Sequence, residues 1–218
     1  AQSCRWSYNL YAEEKNNPGQ LMPLESDENG TSIFSSKDLC LIKEIPEIID
    51  MGVDSLKIEG RLKTEYYVAS VVNAYRTAID DYMKDPENYD YTKYLNELEK
   101  VKTRPFTTFY FNDRKNEDIQ DFSGKQYNDK YEFGGKIVEA KEEKSVIEIK
   151  NKLTVGDTLE ILKPGQFEPI EFKIEQLWDY ETGEKIDFVS PGVKGQKVLM
   201  NIPVKCENNW IMRRKKGN

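Results

Sequence analysis

Ser55-Leu56-Lys57-Ile58-Glu59-Gly60-Arg61-Leu62-Lys63 is the stretch that decides how this chain is read. Up to Glu59 apolar and charged residues alternate, which is the period of a short strand, and Gly60 breaks the pattern. A buried strand carries charges only where they meet partners or line a site. Helical periodicity follows from about Tyr66. Charges at the C-terminal end of a strand that feeds a helix occupy the place where α/β folds put their chemistry, so Lys57, Glu59 and Arg61 are candidate site residues. Two plainer readings compete. Ile58-Glu59-Gly60-Arg61 also spells a common engineered protease-cleavage site, but it lies inside a continuous strand-to-helix pattern rather than between a tag and a domain. A structural ion-pair network around a barrel rim would use the same charges.

Outward from this stretch, the N-terminal side begins with strands at Arg5 to Tyr11 and Thr31 to Phe34, punctuated by turns at Asn16-Asn17-Pro18-Gly19 and Asp27-Glu28-Asn29-Gly30. Two or three short antiparallel strands are expected. A helix opens at Ser35 to Lys37, with Ser35 and Asp38 at capping-box spacing and Leu39, Ile42, Ile45, Ile48 and Ile49 on one face. Pro46 kinks it or starts a second short helix, and Gly52 ends it in a left-handed conformation. On the C-terminal side, Tyr66 to Met83 is a helix with Val68, Val71, Val72, Tyr75, Ile79 and Tyr82 on one stripe, stopped by Asp85-Pro86. Another helix runs from about Thr92 to Val101. Helix, strand, helix is a piece of a βαβα pattern, which needs a parallel sheet around it. Residues 1–102 are therefore expected to be the closing part of a larger α/β barrel domain.

Residues 103–130 read as a polar, aromatic-spiked linker. From Tyr131 the pattern becomes all-β, with strands at 132–139, 145–150, 157–162, 170–177, 196–201 and 209–213. Turn signals at Gly156-Asp157, Pro164-Gly165, Glu181-Thr182-Gly183 and Pro191-Gly192 separate them, so residues 131–218 are expected to form a small closed barrel. Gly156-Asp157 before Thr158-Leu159-Glu160-Ile161 resembles the second-domain barrel of translation elongation factors. The whole is an α+β chain.

Composition narrows the chemistry. The chain has 218 residues, 38% hydrophobic and 33% charged, with a net charge of -7. No apolar run approaches the ~18 residues a membrane helix needs. Three widely spaced cysteines, Cys4, Cys40 and Cys206, argue against a disulfide framework and for a reducing cytoplasm. The absence of histidine excludes a complete Ser-His-Asp or Cys-His site, and a His-ligated zinc site, built from this chain alone. Arg213-Arg214-Lys215-Lys216 is a basic run of the kind that is usually solvated at a terminus. The start at Ala1-Gln2-Ser3-Cys4 reads as a segment of something longer.

Ala1-Gln2-Ser3-Cys4-Arg5-Trp6, Ser36-Lys37-Asp38-Leu39-Cys40, Gly52-Val53-Asp54-Ser55-Leu56-Lys57-Ile58-Glu59-Gly60-Arg61 and Tyr75-Arg76 together resemble the collagenase-like peptidase family of unassigned mechanism (class U, family 32), over essentially the whole chain. The resemblance implies the end of a TIM-barrel-like domain followed by a small β-barrel. Where relatives usually have a glycine between the positions of Thr108 and Phe109, this chain has none. Some members of the family are associated with collagen degradation. Others are oxygen-independent hydroxylation proteins for tRNA, rRNA or ubiquinone precursors, and several hold an iron–sulfur cluster. The tRNA branch, linked to prephenate-dependent formation of 5-hydroxyuridine, fits better, because the chain offers no paired nucleophile and base.

That resemblance implies roles. Cys4 and Cys40 would be cluster ligands in the longer protein, or else buried apolar thiols, while Cys206 reads as structural. A cluster wants about four thiolates, so none is expected on this segment alone. Arg5, Lys57 and Arg61 would hold a prephenate-like dicarboxylate donor or an RNA phosphate, with Glu59 orienting them or acting as acid or base. The substrate would be tRNA or a protein, with a partner subunit possible in either case. Two alternatives stand beside this reading. One is a peptidase using Glu59 and Lys57 near an unseen metal or base. The other is a non-enzymatic docking module whose contacts are Trp178, Trp210 and the basic tail, unless both tryptophans pack in the core.

Overall fold

The computed structural model describes residues 8–13, 15, 18–19, 21–27, 30–32, 36–111, 130–192 and 195–216. The chain divides into two compact units, Ala1–Cys40 with Arg104–Tyr127, and Leu41–Thr103 with Asn128–Asn218.

In the first unit β1 (Leu10–Glu13) pairs antiparallel with β2 (Leu21–Asp27), and β2 pairs with β3 (Gly30–Ser32). The three-stranded meander matches the expected count, although β1 begins at Leu10 and the expected start at Arg5 lies outside the described residues. The β1–β2 turn relies on Gly19, at φ +93°, whose N–H donates to the Glu13 carboxylate at 2.6 Å. β4 (Asp38–Leu39) pairs parallel with β5 (Phe106–Thr107). This overturns the helix expected to open at Ser35. Asp38 cannot serve a capping box, because its backbone is in the β4–β5 ladder and its carboxylate accepts the Arg104 N–H at 3.0 Å. The Arg104 guanidinium closes the same corner by donating to the Ser36 carbonyl at 2.9 Å. Phe109, next to the point where the resemblance implies a glycine that this chain lacks, is left-handed at φ +47°. A hydrogen bond from its N–H to Thr107 Oγ1 at 3.1 Å supports that conformation.

In the second unit α1 (Ile45–Asp50) begins with Pro46 in its first turn, where the missing N–H costs nothing. Gly52 follows at φ +75°, its N–H bonded to the Ile49 carbonyl at 2.9 Å. The expected strand at Val53 to Glu59 is not formed, because no strand among the described residues lies beside it to complete a ladder. Its alternation survives without the sheet: Leu56 and Ile58 are half-buried, while Lys57 and Glu59 are exposed. The parallel sheet of a barrel is thus not seen among the described residues, whose one parallel pair is β4–β5.

α2 (Glu65–Lys84) is capped by Thr64, which accepts the Tyr67 N–H at 3.2 Å. It buries Tyr66, Ser70, Val71, Ala74 and Ala78. The buried face is therefore turned from the expected stripe, and Val68 and Val72 lie exposed. α3 (Thr92–Leu98) buries Tyr94, Glu97 and Leu98. Tyrosine hydroxyls tie α2 and the turn after it to the segment before α1: Tyr75 accepts from the Leu41 N–H at 2.9 Å, and Tyr89 donates to the Ile42 carbonyl at 2.7 Å.

The rest of this unit is β6 (Tyr131–Glu139), β7 (Ser145–Ile149), β8 (Leu153–Thr154), β9 (Thr158–Leu162), β10 (Ile170–Lys173), β11 (Leu177–Asp179), β12 (Lys185–Ile186), β13 (Phe188–Val189), β14 (Lys197–Met200) and β15 (Ile211–Lys215). Eight of these strands form an antiparallel sheet in the order β10-β9-β15-β6-β7-β14-β11-β12, and β8 pairs with β13. Phe172 near one end of the sheet and Leu177 near the other belong to one apolar cluster with Ile137, Ile161 and Met212, so the sheet curls around a single core. It stops short of the expected closed barrel, because β10 and β12 do not pair. The strands expected at 132–139, 145–150, 157–162, 196–201 and 209–213 match β6, β7, β9, β14 and β15, but the single strand expected at 170–177 is broken into β10 and β11, which lie toward opposite ends of the sheet. The two-residue strands β8, β12 and β13 are too short to leave a period in the sequence.

Candidate functional site

The Gly60 turn places the candidate charges. Glu59 Oε1 accepts the Arg61 N–H at 2.7 Å, and the Lys63 N–H donates to the Gly60 carbonyl at 3.0 Å. A Cβ on Gly60 would stand 2.7 Å from Val68 Cγ2, so glycine lets the turn press against the first turns of α2. Lys63 Nζ sits 4.9 Å from the Tyr67 ring centroid. Lys57, Glu59 and Arg61 are all exposed, and among the described residues neither cation is ion-paired. Leu62, between Arg61 and Lys63, is 95% exposed. The result is a cationic strip in which the one carboxylate braces its own turn. Such a strip suits an oxyanion, which Arg61 could meet with two parallel N–H bonds. Arg5 lies outside the described residues.

The other charge-rich stretch does something the sequence reading missed. Arg213, expected on a solvated tail, is fully buried. It donates to both oxygens of Glu97 on α3 and meets the Glu160 carboxylate of β9 at 2.7 Å. The Tyr131 ring covers it, with the guanidinium carbon 4.9 Å from the ring centroid. Burial disfavours the Arg213 charge, but the Glu97 hydrogen bonds outweigh that and hold its pKa above the ordinary value. Beside it, burial pushes Tyr66 up to about 12, and its hydroxyl donates to the Lys100 carbonyl at 3.0 Å. Arg214 pairs with Glu132 and Asp157. The available signal was that Arg213 falls inside the strand expected at 209–213; on β15 it is paired in register with Glu160 of β9, which supplies one of its carboxylates.

A third network fixes the start of α2 to the sheet. Glu65 meets Lys136 at 2.7 Å and Lys150 at 3.6 Å, and Lys150 meets Glu148 at 2.8 Å. The Lys136 hydrogen bond holds the Glu65 carboxyl below its usual range.

Cys4 lies outside the described residues; Cys40 is buried beside β5, its N–H bonded to the Thr107 carbonyl at 2.9 Å. Cys206 packs against the sheet core with its Sγ 3.6 Å from Ser145 Oγ. No group of three metal-ligating side chains converges among the described residues. Trp210 is a core residue; Trp178 is half-buried, with Lys144 Nζ 4.1 Å from its ring centroid, so only one of the two tryptophans packs in the core. No helix of the described residues is long and apolar enough to cross a membrane.

The chain matches Peptidase family U32 over residues 1–121 and the Peptidase family U32 C-terminal domain over residues 129–213. It belongs to the U32 peptidase family. Among curated relatives it is 38% identical to tRNA hydroxylation protein P1 of Bacillus subtilis, over 85% of this chain and 44% of that protein. It is 35% identical to tRNA hydroxylation protein P of Escherichia coli, over 92% of this chain and 43% of that protein. A more distant relative, the collagenase of Porphyromonas gingivalis, is 28% identical over 94% of this chain and 47% of that protein. The chain spans less than half the length of each of these relatives. Among solved structures it is similar to the C-terminal domain of a Geobacillus thermoleovorans protein described as a U32 peptidase, at 24% identity and a TM-score of 0.34, covering 38% of this chain and 99% of that one.

Proposed function

We propose that this chain is part of a tRNA-hydroxylating protein, acting on a uridine with a prephenate-like dicarboxylate as donor. The observation that carries the proposal is its 38% and 35% identity, over most of its length, to two proteins named for tRNA hydroxylation. The chemistry of the strip agrees. Lys57 and Arg61 offer exposed cations for a phosphate or a dicarboxylate, while a chain without histidine supplies no Ser-His or Cys-His pair for peptide hydrolysis. Arg5 would join them, and Glu59 would keep the Arg61 backbone in place through the 2.7 Å bond already described. Cys4 and Cys40 would give two of the thiolates of an iron–sulfur cluster, with the rest, and most of the catalytic barrel, contributed from outside this chain. An RNA substrate would put the protein in the cytoplasm, and a second subunit would be an additional partner.

The test is genetic. Deleting the gene that encodes this chain and analysing tRNA nucleosides by mass spectrometry should show loss of 5-hydroxyuridine and of its derivatives. Unchanged nucleosides together with lost gelatin cleavage would overturn the proposal in favour of a peptidase.

A further inference from the structure

The turned face of α2 leaves a groove. Val68 and Val72 form one wall, and the β9–β10 turn with Phe167 forms the other. Its volume is about 660 Å³, within the ~300–1,000 Å³ range of small-molecule sites. The walls are pinned to each other before anything binds. Asn73 on α2 accepts the Gly165 N–H at 2.9 Å and donates to the Gln166 carbonyl at 3.1 Å. The Phe167 ring packs edge-on against Tyr94, with centroids 5.1 Å apart.

Two features point to a ligand. Ser70 lines the groove, is 2% exposed, and its hydroxyl has no hydrogen-bond partner among the described residues. A buried hydroxyl left unpaired is costly, so a partner in the groove relieves it. The rim, in turn, is cationic although the chain carries a net charge of -7. Lys136 and Arg76 are committed to Glu65 and Asp80, but Lys63 and Lys163 are exposed, lying over the Tyr67 and Trp210 rings, with no ion pair among the described residues. Glu97 on the groove floor is already taken up by Arg213 and Lys100.

From this we infer that the groove between α2 and the β9–β10 turn binds a small amphipathic carboxylate. Its apolar body lies along Val68, Val72 and Phe167, its anionic head meets Lys63 or Lys163, and a polar atom of the ligand pairs with Ser70. The inference rests on the groove alone and stands or falls apart from the hydroxylation reading.

The experiment titrates the full chain with decanoate and with 3-phenylpropionate, following backbone amide shifts by NMR, with decanol and 3-phenylpropanol as uncharged controls. At least one acid should saturate at a single site below about 1 mM, shifting Ser70 and Gly165, and its alcohol should bind at least tenfold more weakly. Which acid binds separates an aliphatic from an aromatic ligand. Val72→Glu, on an exposed helix position, should abolish binding at an unchanged melting temperature, and Lys163→Ala should weaken it several-fold. Neither acid saturating, an alcohol binding as well as its acid, or both variants binding like wild type would each overturn the assignment.

Discussion

Lys57 to Lys63 and Arg213 to Lys216 each carry four charged residues, and the fold treats them in opposite ways. The first keeps its side chains in water and braces a turn with its one carboxylate. The second lies on β15 between two strands, and its first two arginines are consumed by Glu97, Glu160, Glu132 and Asp157. A run of like charge is therefore not evidence of a solvated surface until its strand position is known. Charges with buried partners hold the fold, and charges without partners are available for a ligand.

The difference can be broken at its strongest point first. Glu97→Ala removes the two-oxygen partner of a fully buried guanidinium, and removal of one member of a buried pair costs about 3–5 kcal/mol. With Glu160 still in place, we expect about 3 kcal/mol in urea unfolding. A loss below about 1 kcal/mol would mean that Arg213 is not held as described.

Gly60→Ala is the next largest. Its new Cβ would collide with Val68, and overpacking of this kind costs about 1–3 kcal/mol. Gly60→Ala combined with Val68→Ala should recover most of the loss, and strict additivity of the two would show that the turn does not press on α2.

The Glu65 network sets a smaller, pH-dependent term. Lys136 lowers the folded-state pKa of Glu65 below its ordinary value of 4.5. The stability it contributes is therefore present above about pH 4.5 and is lost as the pH falls through the lower folded value. Because Glu65 is half exposed, the effect is modest. Glu65→Gln should flatten the fall in stability between neutral and acid pH, and an unchanged profile would remove the network from the account.

Much of the fold was legible in the sequence, for definite reasons. β9 and β10 alternate apolar and polar residues on either side of the Pro164-Gly165 turn, and α2 shows a helical period between Thr64 and Pro86. What could not be read depended on neighbours. Asp38 looked like a helix cap because nothing nearby in sequence reveals Arg104 as the group that claims its carboxylate. Val53 to Glu59 has a strand's alternation, but a strand also needs a partner, which the alternation does not specify. On α2, Val68 and Val72 counted as core by spacing, while Ala74 and Ala78, less conspicuous in a hydrophobic pattern, form the packed face. The candidate charges at 57–61 were legible as charges, and their exposure was not. Arg213 was missed because its carboxylates come from α3 and β9.

The smallest expected effect on folding is also the most telling for function. Arg61→Ala removes an exposed side chain with no ion pair among the described residues, so its cost to stability should stay within about 0.5 kcal/mol. The direct measurement is the 5-hydroxyuridine content of tRNA in the deletion strain complemented with Arg61→Ala, alongside the amount of protein present. The account predicts normal protein abundance with 5-hydroxyuridine absent or nearly so; 5-hydroxyuridine restored to the wild-type level by Arg61→Ala would contradict it.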